Sequence, residues 1–349
     1  MKTSDLKYFL AYIVPLTVYF SITLGGYWSF FTVLFVFGFI PLLEMILPVD
    51  RSNHKSSEEV ERSGIRIFDI LLYLNVPIVY GLLIYSVIYL SGQDIVWYEY
   101  IGYWTALGIL CGSSGINVAH ELGHRRNSFE RFLSKMLLLP SHYLHFIIEH
   151  NLGHHKHVAT PKDPATARRN EMLFTFWVRS TINSYLSAWK IENKRLERSG
   201  QTIFSAHNRM IQFTIIQSLY ILTMLMLVPF HLALLVVLSG VFSFLLLETI
   251  NYIEHYGIVR KRLDSGRYEP VQPHHSWNAD YPVGRILLYE LTRHSDHHYK
   301  ADRKYQILRS IKNSPDLPWG YPGSMLMSLI PPLWFRKVNP LLDQYHSKL

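Results

Sequence analysis

The chain has 349 residues, of which 49% are hydrophobic and 14% aromatic, and it carries a formal net charge of +8. This composition suits either a large soluble domain or a protein that crosses a membrane several times. Because Cys111 is the only cysteine, one chain cannot build a disulfide, a thiolate zinc site or an iron–sulfur cluster. Any electrons that the protein uses must therefore come from outside the chain.

The distribution of apolar residues favours a membrane protein. A helix needs ~20 apolar residues to cross a ~30 Å hydrocarbon core, and six runs of the sequence reach about that length. We predict an all-α integral membrane protein with six transmembrane helices, formed by a single domain over residues 1–349. The predicted spans cover about residues 6–24, 28–47, 68–90, 97–119, 210–228 and 232–253.

Lysine and arginine indicate the orientation, because short cytoplasmic loops retain basic residues. The loops 25–27, 91–96 and 229–231 contain none of the 34. Both termini and the segments 120–204 and 255–349 are therefore predicted to be cytoplasmic, with the chain in the inner (plasma) membrane.

Two other interpretations of the basic residues and of the first apolar run are weaker. This orientation already explains the positive charge, so no nucleic-acid partner is expected. A cleaved signal peptide over the first run is disfavoured, because no small-residue cleavage site follows it.

Histidines recur in three boxes, HELGH (120–124), HNLGHH (150–155) and HSDHH (294–298), each in a predicted cytoplasmic segment. Histidines four apart lie on one face of a helix and can bind the same ion. We therefore predict that His150 and His154 share one ion, and that His155, about 100° further round the helix, reaches a second. In the third box, three histidines are predicted to share one face. With the lone histidine of NYIEHYG, the candidate ligands are His120, His124, His150, His154, His155, His255, His294, His297 and His298.

Nine imidazoles are too many for one ion and suit two ions with four or five ligands each. Imidazole binds zinc, copper, iron and nickel, and iron with open positions would use such a set to bind and reduce dioxygen. We therefore predict two iron ions. Acids near the boxes are natural partners for the outer ring nitrogens. These acids are Glu121, Glu149, Asp163, Glu254 and Asp296.

Two other kinds of metal protein are less consistent with the sequence. HELGH is literally the H-E-x-x-H signature of zinc proteases, with Glu121 as the base, but such a site needs three protein ligands and the other boxes add seven histidines. A metal transporter or sensor is disfavoured because transporter ligands line midplane sites within spans. The remaining histidines are predicted to be ordinary: His54, His142, His145, His157, His207, His231, His274, His275 and His346.

The chain resembles the membrane-bound alkane monooxygenases of the histidine-box di-iron superfamily, which also includes xylene monooxygenase and the fatty-acid desaturases. The resemblance rests on HELGH, EHNLGHHKHVATPKDPATA (149–167), NYIEHYG (251–257), GRYEPVQPHHSWN (266–278), RHSDHH (293–298) and LPWGYPGSMLMSLIPPLWF (317–335). It implies that the nine histidines are iron ligands, with no catalytic residue beyond them.

The same resemblance implies the activity of an alkane 1-monooxygenase. Such enzymes hydroxylate the terminal methyl group of medium-chain alkanes with dioxygen, and rubredoxin and its reductase supply the electrons. The alternative within the superfamily is a desaturase or a lipid hydroxylase. Arg260, Lys261 and Arg262 are candidates for rubredoxin docking, on charge alone. An alkane also requires a narrow apolar tunnel, for which Gly108, Gly112 and Gly115 are the candidate wall.

Overall fold

A computed structural model of the protein describes residues 3–347, so Lys2 of the basic N-terminus and the last two residues lie outside the described part. Within residues 3–347 the fold is entirely helical, with two isolated bridges and no strand. This confirms the predicted all-α class. The longer helices are α1 (Asp5–Leu24), α2 (Gly26–Ile46), α3 (Arg66–Leu90), α4 (97–123), α5 (Ser128–Leu138), α6 (Leu173–Arg198), α7 (Arg209–Leu227), α8 (Phe230–His255), α9 (Tyr321–Ser328) and α10 (Pro331–His346).

Five of these helices, α1, α2, α3, α7 and α8, are long and apolar enough to cross a membrane. Their bounds agree with the predicted spans to within a few residues. Large apolar side chains remain exposed on their outer faces, as in Leu34 of α2 (63% exposed) and Met226 of α7 (82% exposed). Apolar side chains on the outside of a bundle are suited to lipid rather than water. The protein is therefore a multi-pass membrane protein.

The predicted fourth span is α4, which runs through residues 97–123 as consecutive helical segments. It is not among the five apolar helices, because the small and polar residues of CGSSGIN (111–117) lower its hydropathy. Its central residues Leu107, Leu110 and Ile116 are almost fully buried. A helix surrounded by other helices does not need an apolar outer face, so the count of six spans stays a prediction.

Close approach between helices fixes the centre of the bundle. α4 packs against α8 where Gly108 leaves no room for a side chain beside Phe242. α8 in turn crosses the turn after α5, where Gly240 lies against the Pro140 carbonyl. Small residues at such crossings are typical of membrane helices.

Shorter helices lie between the spans and carry two of the three boxes. The chain breaks at Pro140 as predicted, since α5 ends at Leu138 and a short turn follows. The ends of α4 and α8 then meet the second and third boxes. The short helices are Ser56–Ser63, Leu139–Ser141, Phe146–Glu149, His150–His154, His155–His157, Pro273–His275, Pro282–Leu287, His294–Tyr299 and Tyr305–Ile307.

Candidate metal centre

The first box occupies the last turn of α4. His120 lies inside the segment Asn117–Gly123, and His124 follows at its end. The hydroxyl of Ser134 donates a hydrogen bond to the Ala119 carbonyl at 2.6 Å and so ties α5 to this turn. His120 is buried, and both rings face the second box.

The second box is a π-helical turn, His150–His154, and not an α-helical one. A π turn closes hydrogen bonds between residues five apart, so His150 and His155 share a face. His154 points elsewhere and joins a different group of histidines. The predicted pairing of His150 with His154 is therefore corrected, because the extra residue in the turn rotates the face.

The third box forms the short helix His294–Tyr299. His294 and His298 lie together, as their spacing predicts, but His297 belongs to the other group. The prediction that all three share one face is therefore corrected, because this helix passes between the two groups. His255, the last residue of α8, completes the group of His294 and His298.

All nine predicted histidines thus come together in two neighbouring groups, a five-histidine cluster and a four-histidine cluster. In each group the candidate ligand nitrogens lie within 4.8 Å of one another. The rings of His155 and His298, one from each group, stack with centroids 4.5 Å apart. The five-histidine cluster contains His120, His124, His150, His155 and His297; the four-histidine cluster contains His154, His255, His294 and His298.

The spacing of the ring nitrogens within each cluster suits metal coordination. In the five-histidine cluster, His150 Nε2 lies 3.1 Å from His124 Nε2 and 3.0 Å from His155 Nε2. In the four-histidine cluster, His154 Nε2 lies 3.2 Å from His298 Nε2. Ligand nitrogens at right angles around one ion, each ~2.1 Å from it, lie about 3.0 Å apart. The observed spacing is that of nitrogens converging on an ion.

The protonation of the rings in the five-histidine cluster also fits a metal. Burial lowers the pKa of His124, His150 and His297 well below the ordinary value, and lowers the pKa of His155 to about 3. Neutral imidazoles offer the lone pair that a metal needs. The Nε2 atom of His120 is buried and has no hydrogen-bond partner in the described part of the chain. Such an orphaned nitrogen, aimed at four others, is suited to a metal ligand.

Two of the five predicted acids contact clustered imidazoles. Asp163 accepts a hydrogen bond from Nδ1 of His154 at 3.0 Å, and the Thr166 hydroxyl donates to the same carboxylate at 2.6 Å. Burial alone would raise the pKa of Asp163, but His154 holds it below its usual value. Such a partner on the outer ring nitrogen fixes the orientation of the ring. Glu254 places Oε2 3.1 Å from Nε2 of His294, the nitrogen that also faces His255 at 3.1 Å, and it accepts a hydrogen bond from the Tyr321 hydroxyl. Glu254 therefore lies on the ligand side of the ring and not behind it.

Thr166 and Tyr321 were not among the residues predicted from the sequence. Both lie in motifs on which the resemblance rests, VATPKDPATA and LPWGYPG, but these motifs contain no histidines at metal-ligand spacing.

The other three acids hold neighbouring segments instead. Glu121 accepts hydrogen bonds from Arg125 and from the Tyr305 main chain. Asp296 accepts from Arg303 and from the Arg309 main chain. The predicted contact of these acids with imidazoles is corrected, because Arg125 pairs with Glu121 and Arg303 pairs with Asp296. Glu149 accepts a hydrogen bond from Ser187 at 3.3 Å and is joined to no clustered imidazole within residues 3–347.

Two of the histidines predicted to be ordinary form a third group with Glu269. His274 and His275 lie close to this carboxylate. The Nδ1 atom of His275 accepts the Gln272 main-chain N–H at 3.0 Å, so its proton is on Nε2, 3.2 Å from Glu269. A ring already satisfied at both nitrogens has no lone pair free for a metal.

An apolar cavity ends at the two clusters. It is lined by side chains of α1, α2, α4, α8 and α9, and by His120, His150 and His294. Its free space, measured by the centre of a water-sized sphere, is about 90 Å³. One water needs ~10–15 Å³ by the same measure, so the cavity accommodates several heavy atoms.

The three candidate glycines of the tunnel differ in position. Gly112 lines the cavity. Gly108 instead packs against Phe242, and a Cβ on Gly115 would lie 3.3 Å from the Leu137 carbonyl. The prediction is therefore corrected for Gly108 and Gly115, which serve helix packing.

The fold and the site together define a helical membrane protein with two histidine clusters at the end of an apolar cavity. Residues 95–324 match the family model described as fatty acid desaturase. The chain is 39% identical over 302 residues to the alkane 1-monooxygenase of Ectopseudomonas oleovorans, covering 86% of this chain and 75% of the relative. It is 40% identical over 312 residues to the alkane 1-monooxygenase of Pseudomonas putida, with the same coverage.

A third relative is more distant. The hydroxylase component of xylene/toluene monooxygenase from Pseudomonas putida is 31% identical, covering 98% of this chain and 90% of the relative. The chain therefore belongs to the fatty acid desaturase family and, within it, to the group of the alkane 1-monooxygenases, which confirms the resemblance seen in the sequence.

Proposed function

We propose that the protein is an alkane 1-monooxygenase that converts medium-chain alkanes to primary alcohols. The observation that carries this proposal is the apolar cavity that ends at both histidine clusters. The walls contributed by α1 and α2 are Val14, Val36, Phe37 and Ile40, which offer an alkane contact without any hydrogen bond. The relatives named alkane 1-monooxygenase support the same substrate class.

The reaction consumes one alkane, one dioxygen, two electrons and two protons, and it yields one primary alcohol and one water. Two iron ions would supply the binding and reduction of dioxygen. The five-histidine cluster would hold one ion and the four-histidine cluster the other, with Asp163 orienting His154. The supports for this count are the two separate sets of converging nitrogens.

The chain's own work is positioning. An alkane has no group that a hydrogen bond could recognise, so the shape of the cavity must select the end carbon. Gly112 and Ile116 of α4 line the cavity together with His120 of the first box. An alkane that enters the cavity end first would therefore place its terminal methyl group beside the ring nitrogens of the histidines.

Electrons are proposed to come from rubredoxin and its reductase. The single Cys111 is buried in α4, so the chain provides no cysteine-bound redox centre of its own. The distribution of basic residues supports a site on the cytoplasmic side of the inner membrane.

The competing function is that of a desaturase or of another lipid hydroxylase. An acyl substrate with an anionic head group needs cationic partners. Among the described residues that line the cavity there is no lysine or arginine, which favours a substrate without an anionic head group. A metal transporter or sensor is a more distant alternative and does not explain the apolar cavity.

Product analysis separates these functions. Purified protein in lipid nanodiscs would be supplied with NADH, rubredoxin, reductase and either octane or hexadecane, and acyl lipids would be assayed in parallel. We expect 1-octanol or 1-hexadecanol, in amounts equal to the NADH oxidised in a fully coupled reaction. A double bond in an acyl chain would identify a desaturase, and iron-loaded protein that oxidises no substrate would support the transporter.

A further inference from the structure

A strongly basic cleft lies beside the second histidine box. It has a volume of about 610 Å³ and lies between residues 152–162 and the charged half of α6. Its lining, within residues 3–347, includes no acidic side chain. Five lining cations have no ion pair recorded in the described part of the chain: Lys156, Lys162, Lys190, Lys194 and Arg198.

The cleft lies on the polar side of α6. The first half of this helix exposes apolar side chains such as Phe174 and Val178, which are suited to lipid. The second half, from Lys190 to Arg198, exposes mainly charged side chains. A cleft in this half therefore faces water and not the hydrocarbon core.

The lining of the cleft includes a residue next to the metal centre in the chain. This residue is Gly153, and the following residue, His154, belongs to the four-histidine cluster. Ser187, also in the lining, donates a hydrogen bond to Glu149 next to the box. A Cβ on Gly153 would lie 3.1 Å from Ile191, so the π turn and α6 are in close contact here.

The three residues that were predicted to dock rubredoxin on charge alone do not line the basic cleft. Arg260 is 6% exposed, and its guanidinium donates hydrogen bonds to the carbonyls of Glu269 and Lys156. It braces the edge of the cleft and is not available to a partner. Lys261 and Arg262 are exposed but are not in the lining.

We propose that this basic cleft is the docking site of the electron donor, a carrier protein with an acidic surface around its redox centre. The inference rests on the proposed function, which needs two electrons per turnover from outside the chain. Two reduced carriers would bind in turn, and each would be oxidised by one electron. Unpaired cations complement an acidic partner, and the volume suits a projecting loop of that partner.

Charge reversal tests the docking site. Lys190→Glu/Lys194→Glu changes two exposed residues one turn apart, and Lys312→Glu/Lys337→Glu makes the same charge change at exposed positions outside the cleft. Binding of reduced rubredoxin would be measured by calorimetry in nanodiscs of zwitterionic lipid, over a range of ionic strengths. We expect the cleft variant to raise the Kd at least tenfold at low salt and to flatten its salt dependence. The control variant should change the Kd less than threefold.

A second readout separates this proposal from the proposed function. With dithionite as the reductant, wild type and the cleft variant should form equal amounts of 1-octanol in a single turnover. If wild type forms none, the oxygenase function fails whatever the docking result. If the cleft variant binds rubredoxin as wild type does, the docking proposal is overturned. It is equally overturned if the cleft variant only loses copurified anionic phospholipid, with an unchanged Kd for rubredoxin.

Discussion

At the scale of single residues, neighbouring histidines belong to different clusters. His154 and His155 are adjacent in the chain but contribute to the four-histidine and the five-histidine cluster, respectively, and His297 and His298 divide in the opposite order. All four residues were predicted as ligands from their type and spacing. Their division between the two clusters could not be predicted, because one extra residue in a helical turn rotates the following side chains by about 100°.

Removal of one ligand should remove one metal. His297→Ala takes away a nitrogen that lies 3.2 Å from His155 Nε2 in the five-histidine cluster. We expect the iron content to fall from two towards one per chain and alkane hydroxylation to fall at least 100-fold, by metal analysis and product assay. His207→Ala, at an exposed position far from the boxes in sequence, serves as the control. Full turnover of His297→Ala with two irons would contradict its assignment as a ligand.

The carboxylate behind His154 should tune the centre without being a ligand itself. Asp163→Asn keeps an oxygen that can accept the Nδ1 proton but removes the negative charge. Loss of such a partner typically costs 10–100-fold in metal affinity or activity, and we expect a loss in this range by titration with a chelator. Asp343→Asn removes an exposed partner of Arg169 and is the matched control. An unchanged iron affinity of Asp163→Asn would exclude the role.

At the scale of elements, irregular helical turns lie at the apolar cavity and at the second histidine box. π turns occur at Phe35–Phe39 of α2, Cys111–Ile116 of α4 and His150–His154. The first two contribute cavity residues and the third carries the second box. The apolar runs of the sequence predicted the helices. A residue inserted into a turn leaves no trace in the composition, so the sequence did not predict which side chains share a face of each helix.

The glycines of α4 allow cavity shape to be tested separately from packing. A Cβ on Gly112 would lie 3.4 Å from Leu246, an ordinary contact, and would project into the cavity. We expect Gly112→Ala to reduce hydroxylation of hexadecane relative to octane by about tenfold, since one methyl group in an apolar pocket has roughly this effect.

Gly108→Ala, one turn earlier in the same helix, is the matched variant. Its added methyl would collide with Phe242 outside the cavity. Its free energy of unfolding should fall by about 1–3 kcal/mol, while the ratio of the two products should stay that of wild type. If Gly108→Ala changed the product ratio and Gly112→Ala did not, the result would show that Gly108, and not Gly112, lines the cavity.

At the scale of the whole molecule, a buried charge network joins distant parts of the chain to the third box. Glu290 accepts hydrogen bonds from Arg285 at 2.6 Å and from the Tyr8 hydroxyl at 2.8 Å, and it lies 3.7 Å from Arg293. Arg285 also donates to Asp50 in the connector after α2. The network therefore links α1 and this connector to the residue that precedes His294.

The network should make stability depend on pH. Burial alone would raise the pKa of Glu290, but Arg285, Arg293 and Lys7 lower it from 4.5 to about 2. A carboxyl with a depressed pKa stabilises the fold fully above pH 4.5, and this contribution is lost as the pH falls towards 2. Glu290→Gln should therefore reduce the free energy of unfolding at pH 7 by about 3 kcal/mol. The difference from wild type should shrink below pH 4.5; a constant difference in thermal unfolding would contradict the network's role.

Much of the whole-molecule arrangement was predictable, because hydropathy over 20-residue windows specifies membrane helices well. The bounds of five helices agree with the predicted spans, while α4 shows the limit of the method. The helices that surround α4 shield it from lipid, and Ser113, Ser114 and Gly115 can therefore lie inside the bundle. The convergence of α8 with the boxes also depends on tertiary packing, which local sequence does not encode.

The proposed function depends on nine histidines that hold two irons, in sets of five and four, at the end of an apolar cavity. Diffraction from crystals of the iron-loaded protein at the iron absorption edge tests this most directly. We predict two anomalous peaks, one surrounded by Nε2 of His120, His124, His150, His155 and His297, and the other by Nε2 of His154, His255, His294 and His298. A single peak, or a peak at Glu269, His274 and His275 with none at the two clusters, would contradict the account.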